Sequence, residues 1–478
     1  MTSQRTTQGT LRRLGIGAMG LLILSGCVEL DNGETITQEQ INMTFEPAPQ
    51  SVDVPVNTNV TIRTGITLNP EIVNADTILL EGPDGEKVAV DVGYSNNVIE
   101  LIPRQPLQPK TTYRTTVTNS VTSADGLELD GSISASFTTQ TLDVDAPVPK
   151  LAKWESQMLR FGKAVGDDLM QVSRDQARNP SGALLDKTYY DGQRVFLQIA
   201  EYVEAKGEDA SAWYRYATRA EDIYIVGYVK RENHVVAPWF RFSHGAYMQW
   251  QRTNNEIVRP TIIGLRDRPP FSEATSNRTS WYQQRYSREI AYAIQSNVIA
   301  EKMGEERKTE RMAVLTDMAL GHIEQWTTGN FIDPDPNWRF VQSFMTGLTA
   351  TALIELQEHT PDARIQPAIK AMADWLWEEM WVANVNGSGY GAFKYVNRSL
   401  SGVGGPSPAP DLNMLILPMY TWLYKETGDR VYRERADLIF AGGVELAFLG
   451  GGKQFNQSYR DTFQALEWRE EGLSKWGN

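Results

Sequence analysis

The spacing of apolar positions changes once along the main body of the chain. Between Ile41 and about Gln140, apolar and polar residues alternate in short runs: Val60-Thr61-Ile62, Thr77 to Leu80, Val98 to Ile102, Thr112 to Val117 and Ser134 to Thr139. Period-two runs broken by turn residues such as Gly82-Pro83-Asp84-Gly85 predict strands. About seven such runs in a hundred residues predict a β-sandwich. From Lys150 onward the period becomes helical, and one unit recurs: an amphipathic helix, a short turn, a second helix. The turns fall at Gly207-Glu208-Asp209, Gly304-Glu305-Glu306, Pro361-Asp362-Ala363 and Gly428-Asp429-Arg430. In each, the glycine or proline stops the first helix, and the acidic residue after it can cap the second.

Those turns lie about 60 residues apart, with one gap of about 100 that has room for an extra pair. A helix before Gln176 and another from Gln457 to Trp468 bring the total to about ten to twelve. An open solenoid and a closed (α/α) toroid both fit. Long insertions, Val235 to Arg285 and Asn384 to Pro410, favour the toroid, because solenoid repeats are shorter and more uniform. The expected fold class is therefore multidomain: an all-β sandwich followed by an all-α toroid of helical hairpins. The segments are 1–27 (address), 28–40 (polar tether), 41–141 (sandwich), 142–149 (linker stiffened by Pro147 and Pro149) and 150–478 (toroid).

The address is a secretory signal: Arg5, Arg12 and Arg13, an apolar run from Leu14 to Leu24, then Ser25-Gly26-Cys27. The run is shorter than the ~20 residues a bilayer span needs. Leu24-Ser25-Gly26-Cys27 resembles the lipobox of bacterial lipoproteins, which implies that Cys27 is lipidated and anchors the chain to a membrane. Val28 after the cysteine implies the outer membrane if Gram-negative sorting applies, with the protein periplasmic or at the cell surface. Cys27 is the only cysteine of the 478 residues, so no disulfide forms within the chain.

Two further resemblances concern the folded parts. Val54-Pro55-Val56-Asn57, Leu107-Gln108-Pro109 ahead of Thr112-Tyr113, Asp125-Gly126 and a closing Phe137-Thr138-Thr139 make the first segment similar to the bacterial Ig-like domain of S-layer and secreted proteins. In that family the module is a spacer or surface-binding unit. Tyr189-Tyr190-Asp191-Gly192 and Tyr424-Lys425-Glu426-Thr427-Gly428-Asp429 resemble local phrases in the (α/α) barrels of polysaccharide lyases and six-hairpin glycosidases. These phrases mark the hairpin, so the activity must be argued from the site.

Charge narrows the choice. The chain carries −13, with 46 basic against 59 acidic residues, which disfavours a nucleic-acid partner. Between Tyr228 and Arg288 the sign reverses: ten basic residues stand against four acidic ones, a local +6. Such a reversal can focus an anionic ligand. The same stretch holds two of the four histidines, His234 and His244, with Asn233, Trp239, Trp281, Tyr282 and Tyr286.

Histidine, tyrosine, arginine and asparagine are the groups that β-elimination of a uronate requires. Arg or Asn neutralises the carboxylate and acidifies the neighbouring C–H, one group takes that proton, and another protonates the leaving oxygen. The expected roles are His244 as base, Tyr286 as acid and Arg285 or Arg288 on the carboxylate, with Asn233 and His234 as alternates. Trp239, Trp281, Tyr282, Tyr390 and Tyr395 are candidates for stacking on sugar rings, the last two from a glycine-rich loop that could close over a chain. A competing hydrolytic reading uses Asp191, Glu289 and Asp411, which fall near equivalent positions at the starts of hairpins; a pair ~5–9 Å apart could cleave a glycosidic bond. As N-caps, the aspartates would have a purely structural role. A third reading is a non-catalytic glycan- or envelope-binding scaffold. No zinc, phosphate-loop, dinucleotide or serine-elbow motif occurs, so no cofactor or metal is expected.

Overall fold

The computed structural model describes residues 42–54, 58–104, 107–129, 131–139, 147–272, 279–399 and 405–476, with the backbone of 27–29 and 35–37. The signal, the lipobox up to Gly26, most of the linker, and Glu273 and Arg278 of the basic stretch lie outside the described residues. The chain divides into two compact units, 1–142 and 143–478. The stretch expected to be a plain tether contains a short hairpin: β1 (Cys27–Glu29) pairs antiparallel with β2 (Thr35–Thr37).

The first unit is the expected sandwich. Its strands are β3 (Met43–Glu46), β4 (Val60–Thr64), β5 (Ile78–Glu81), β6 (Val90–Ser95), β7 (Val98–Pro103), β8 (Thr112–Val117) and β9 (Ile133–Thr138). They form antiparallel sheets in the orders β3-β4-β7-β6 and β5-β8-β9. Alternation works as it should: Val60, Ile62 and Thr64 are buried while Arg63 between them is exposed. Ile62 sits opposite both Phe45 and Ile99, and Tyr113 opposite Phe137, so the cross-strand pairs are themselves the core. Asn96 and Asn97, both at positive φ, make the two-residue turn from β6 to β7 that matches the twist of the strands. The Tyr113 hydroxyl accepts a 2.8 Å hydrogen bond from the Gln108 N–H, tying the chain entering β8 back onto that strand.

The second unit opens with α1 (Leu151–Met170) and the short α2 (Arg174–Arg178) and α3 (Gly182–Asp186). Six helical hairpins follow: α4 (Gly192–Ala205) with α5 (Ser211–Glu221), α6 (His244–Thr253) with α7 (Arg259–Asp267), α8 (Ser287–Lys302) with α9 (Thr309–Thr328), α10 (Ser343–His359) with α11 (Ile365–Met380), α12 (Asn413–Thr427) with α13 (Arg430–Leu446), and α14 (Gly452–Tyr459) with α15 (Thr462–Trp476). Helix α5 runs directly into a π-helical stretch, Asp222–Lys230. Gly207, Gly304 and Gly428 adopt the left-handed conformation after their helices. Asp209, Asp362 and Asp429 accept backbone N–H bonds from the helix or turn that follows.

The first helices of the hairpins form a closed inner ring. Helix α4 packs on α6, α6 on α8, α8 on α10, α10 on α12, α12 on α14, and α14 back on α4. That closure excludes the open solenoid. Helices α8, α10 and α12 are buried on nearly every face, as inner-ring members must be. Two sequence expectations need correction. The helix expected over Gln457 to Trp468 is two helices, broken at Arg460-Asp461 where the chain passes from the inner to the outer ring. About half of the insertion from Val235 to Arg285 is a hairpin of the ring, α6 and α7, the extra pair for which the long gap between turns has room; its helices have only ten and nine residues.

Close approach within the ring is set by small residues. A Cβ on Gly347 of α10 would lie 2.3 Å from the Leu415 carbonyl oxygen on α12. Gly347→Ala should therefore force the two helices apart and cost roughly 1–3 kcal/mol in urea unfolding of the full chain. A variant as stable as the parent would contradict the backbone contact.

Candidate functional site

The two ends of the ring are built differently. Connections from an inner to its outer helix are short, 428–429 and 460–461 being the shortest, whereas those leading into α6, α8, α10 and α12 span 231–243, 268–286, 329–342 and 381–412. The mouth at the inner-helix N-termini is therefore the one that loops can furnish with chemistry.

A pocket of about 520 Å³ opens at this mouth, lined by the first turns of α8 and α10 and the loops before them. Trp239 and Trp338 are 43 % and 40 % exposed, leaving large aromatic faces for a ligand. Trp338 stacks on Phe340 (6.1 Å between ring centres) and Phe344 on Tyr395 (6.0 Å). Two arginines are set against these rings. The Arg285 guanidinium lies 5.0 Å from the Tyr286 ring and 5.6 Å from Trp338, and its Nε is 3.2 Å from Asp333 Oδ2. Arg288 lies 5.9 Å from Trp239 and donates from Nε and Nη2 to Glu289 Oε1, at 3.1 and 2.6 Å. Burial acts to lower the Arg288 pKa, but the adjacent Glu289, with Tyr189 and Tyr292, outweighs it and raises the pKa, so the cation is locked in.

Glu289 is only 5 % exposed, and its second oxygen, Oε2, has no hydrogen-bond partner. It stands in the first turn of α8, where the helix dipole favours a carboxylate. The pocket thus combines flat apolar walls and two cations, each paired with a carboxylate, and is bordered by Glu289, whose Oε2 is buried and without a hydrogen-bond partner.

Arg285, Tyr286, Arg288, Glu289, Trp239 and Tyr395 of the expected site come together here, and the others do not. His244 opens α6 deeper in the ring, its Nε2 3.0 and 3.1 Å from the Glu355 oxygens, and it lines a different cavity from Tyr286. Asn233 and His234 sit in the turn after the π-helical stretch, both at positive φ. The His234 ring packs on Gly264, and burial together with Arg268 lowers its pKa. Both Asp191 oxygens accept backbone bonds, from Arg194 N–H (3.2 Å) and Gly245 N–H (2.9 Å), so it is an anchor for α4 and α6. Asp411 Oδ1 accepts from the Phe448 N–H at 2.7 Å. Trp281 is buried against Phe271 (4.6 Å), Tyr282 presents its carbonyl to Gln325, and Tyr390 lies under the Lys150 ammonium (5.3 Å).

Sequence reasoning missed Gln284, Trp326, Phe340 and Phe344. Phe340 two residues after Trp338 was a usable signal, an alternating aromatic pair just before a helix. Trp326, near the end of an outer helix, reads as core. Among the described residues no group of three His, Cys, Asp or Glu side chains is placed to hold a metal ion.

Residues 37–139 match the bacterial Ig-like domain family, in agreement with the strand order and landmarks of the first unit. No curated protein matches the chain at a significant level. Among solved structures, CopC from Methylosinus trichosporium OB3b is similar at 15 % identity over 20 % of this chain and 88 % of its own, TM-score 0.17. A polysaccharide lyase is similar at 10 % identity over 86 % of this chain, which spans 59 % of that protein, TM-score 0.35. A family 76 glycoside hydrolase from a bovine Bacteroides thetaiotaomicron strain is similar at 9 % identity over 90 % of this chain and 99 % of its own, TM-score 0.37.

The deeper pair gives a direct test of the electrostatics. Burial pushes the Glu355 carboxyl up, but the charge and hydrogen bond of His244, with Arg194 and Lys302, hold it down at about 2 instead of 4.5. A depressed carboxylate stabilises the fold fully above 4.5 and progressively less as pH falls toward 2. The shift corresponds to roughly 3 kcal/mol. Glu355→Gln should lose about that stability at pH 6 and flatten the stability curve between pH 4.5 and 2; a curve parallel to the parent's would contradict the pairing.

Proposed function

We propose that this chain is a cell-envelope carbohydrate-active protein that binds an acidic, uronate-containing polysaccharide at the N-terminal mouth of its toroid and cleaves it by β-elimination. The observation that carries this reading is the meeting of Arg285, Arg288 and the exposed faces of Trp239 and Trp338 in one pocket that Glu289 also lines, its Oε2 buried and without a hydrogen-bond partner. Aromatic faces suit the apolar faces of sugar rings, and arginines suit carboxylates. The bacterial Ig-like domain and the lipobox-like Leu24-Ser25-Gly26-Cys27 support a location in the envelope, with Cys27 as the lipid attachment point.

In this scheme Arg285 and Arg288 hold the uronate carboxylate and stabilise the negative charge that develops when the neighbouring C–H loses its proton. Glu289 Oε2 accepts that proton, because His244 faces Glu355 in a different cavity. A double bond forms in the ring as the glycosidic C–O bond breaks, and the Tyr286 hydroxyl protonates the departing oxygen. Hydrolysis is the weaker reading, since Glu289 is the one carboxylate among the described residues lining the pocket and that reaction needs two.

The test is ultraviolet absorbance of the unsaturated-uronate product on alginate, polygalacturonate and glycosaminoglycan substrates. The expected result is absorbance that Tyr286→Phe lowers about 100-fold or more in kcat, while Arg285→Met chiefly raises KM. New reducing ends without absorbance would replace elimination by hydrolysis. Binding without cleavage would leave a scaffold.

A further inference from the structure

A second cavity, of about 450 Å³, lies toward the other end of the same toroid. It is lined by α4 from Arg194 to Ala205, α6 from His244 to Gln251, the last turn of α8 and the first two turns of α15. From this cavity we infer a second ligand site, one that takes a small neutral saccharide and is separate from the acidic-glycan pocket.

Three features of the lining carry the inference. Tyr202, Tyr247 and Phe463 supply aromatic surface. Gln198 and Gln251 supply amides that can donate and accept at once, the match for vicinal hydroxyls, and Gln464 adds a third whose Nε2 donates to Glu467 Oε2 at 3.0 Å. Gln198 Oε1 is buried and has no hydrogen-bond partner, so an acceptor waits beside the cavity.

Charge selects the ligand class. The cationic groups on the floor are already engaged: Arg194 is 3.1 Å from Asp461, and His244 is 3.0 Å from Glu355. On the walls Lys302 stands against Glu201 and Glu467. The lining of the cavity balances Arg194 and Lys302 against Glu201 and Glu467 and so offers no cationic excess for a uronate, whereas the mouth sets Arg285 and Arg288 against Glu289 among its described lining residues. A polyhydroxylated, uncharged ligand satisfies the amides and leaves every ion pair intact. The volume suits one or two sugar rings.

Saturation-transfer NMR on the full chain with the methyl glycosides of glucose, mannose, galactose and N-acetylglucosamine tests the site. At least one glycoside should bind saturably. Gln198→Leu and the near-isosteric Glu467→Gln should each weaken that binding about tenfold, whereas Arg285→Met leaves it unchanged. Circular dichroism establishes that each variant is folded, and Glu467→Gln keeps the test decisive should Gln198→Leu misfold. The inference is overturned if none of the four glycosides saturates, or if binding survives both cavity variants or is lost in Arg285→Met. Uronate cleavage at the mouth is scored separately, so either site can fail without the other.

Discussion

The toroid depends on a layer of buried ions and amides in the middle of its ring. Arg194 of α4 faces Asp461 at the α14–α15 break, and Arg460 beside it donates to Gln295 of α8 at 3.3 Å. Gln295 in turn donates to Glu355 of α10 at 2.9 Å, and Glu355 meets His244 of α6. The chain of contacts thus links five of the six inner helices. Buried charges are costly unless paired, so removing one member strands its partner, and the arrangement has few alternatives. Asp191 adds the local constraint: it receives the Gly245 N–H and fixes where α6 begins, and a Cβ on Gly245 would lie 2.5 Å from its Oδ1.

This layer separates the two cavities. Toward the inner-helix N-termini lie the long connections, with arginines, tryptophans and the half-free carboxylate of Glu289. In the other direction lie short turns and a cavity of amides and tyrosines. The scaffold is set by packing and buried pairing, while the chemistry rests on segments the packing leaves free to vary.

Much of the architecture was legible in the sequence because it follows from local rules. Alternation located five of the seven sandwich strands. The other two, Met43–Glu46 and Val90–Ser95, are short or interrupted by Asp91 and Gly93. Turn glycines or proline with the acidic residues after them located four hairpins, and the long gap held another. The site was harder. Aligning hairpins on their turns gives a position around the ring but not a depth along it, and α6, with ten residues against sixteen in α8, starts deeper. That difference separates His244 from Tyr286. The local +6 also overstated the field: Arg241 is 2 % exposed and bonded to the Arg266 carbonyl, and carboxylates from outside the stretch pair with its arginines, Glu305 with Arg259, Asp333 with Arg285 and Glu289 with Arg288. Sequence counts charges, but only the fold shows which are neutralised.

The most direct test of the account is a crystal structure of the Tyr286→Phe protein grown with a uronate tetrasaccharide. The account predicts a sugar ring against Trp239 or Trp338 with its carboxylate on Arg285 or Arg288. A tetrasaccharide bound beside His244, or on the β-sandwich with the mouth empty, would contradict it.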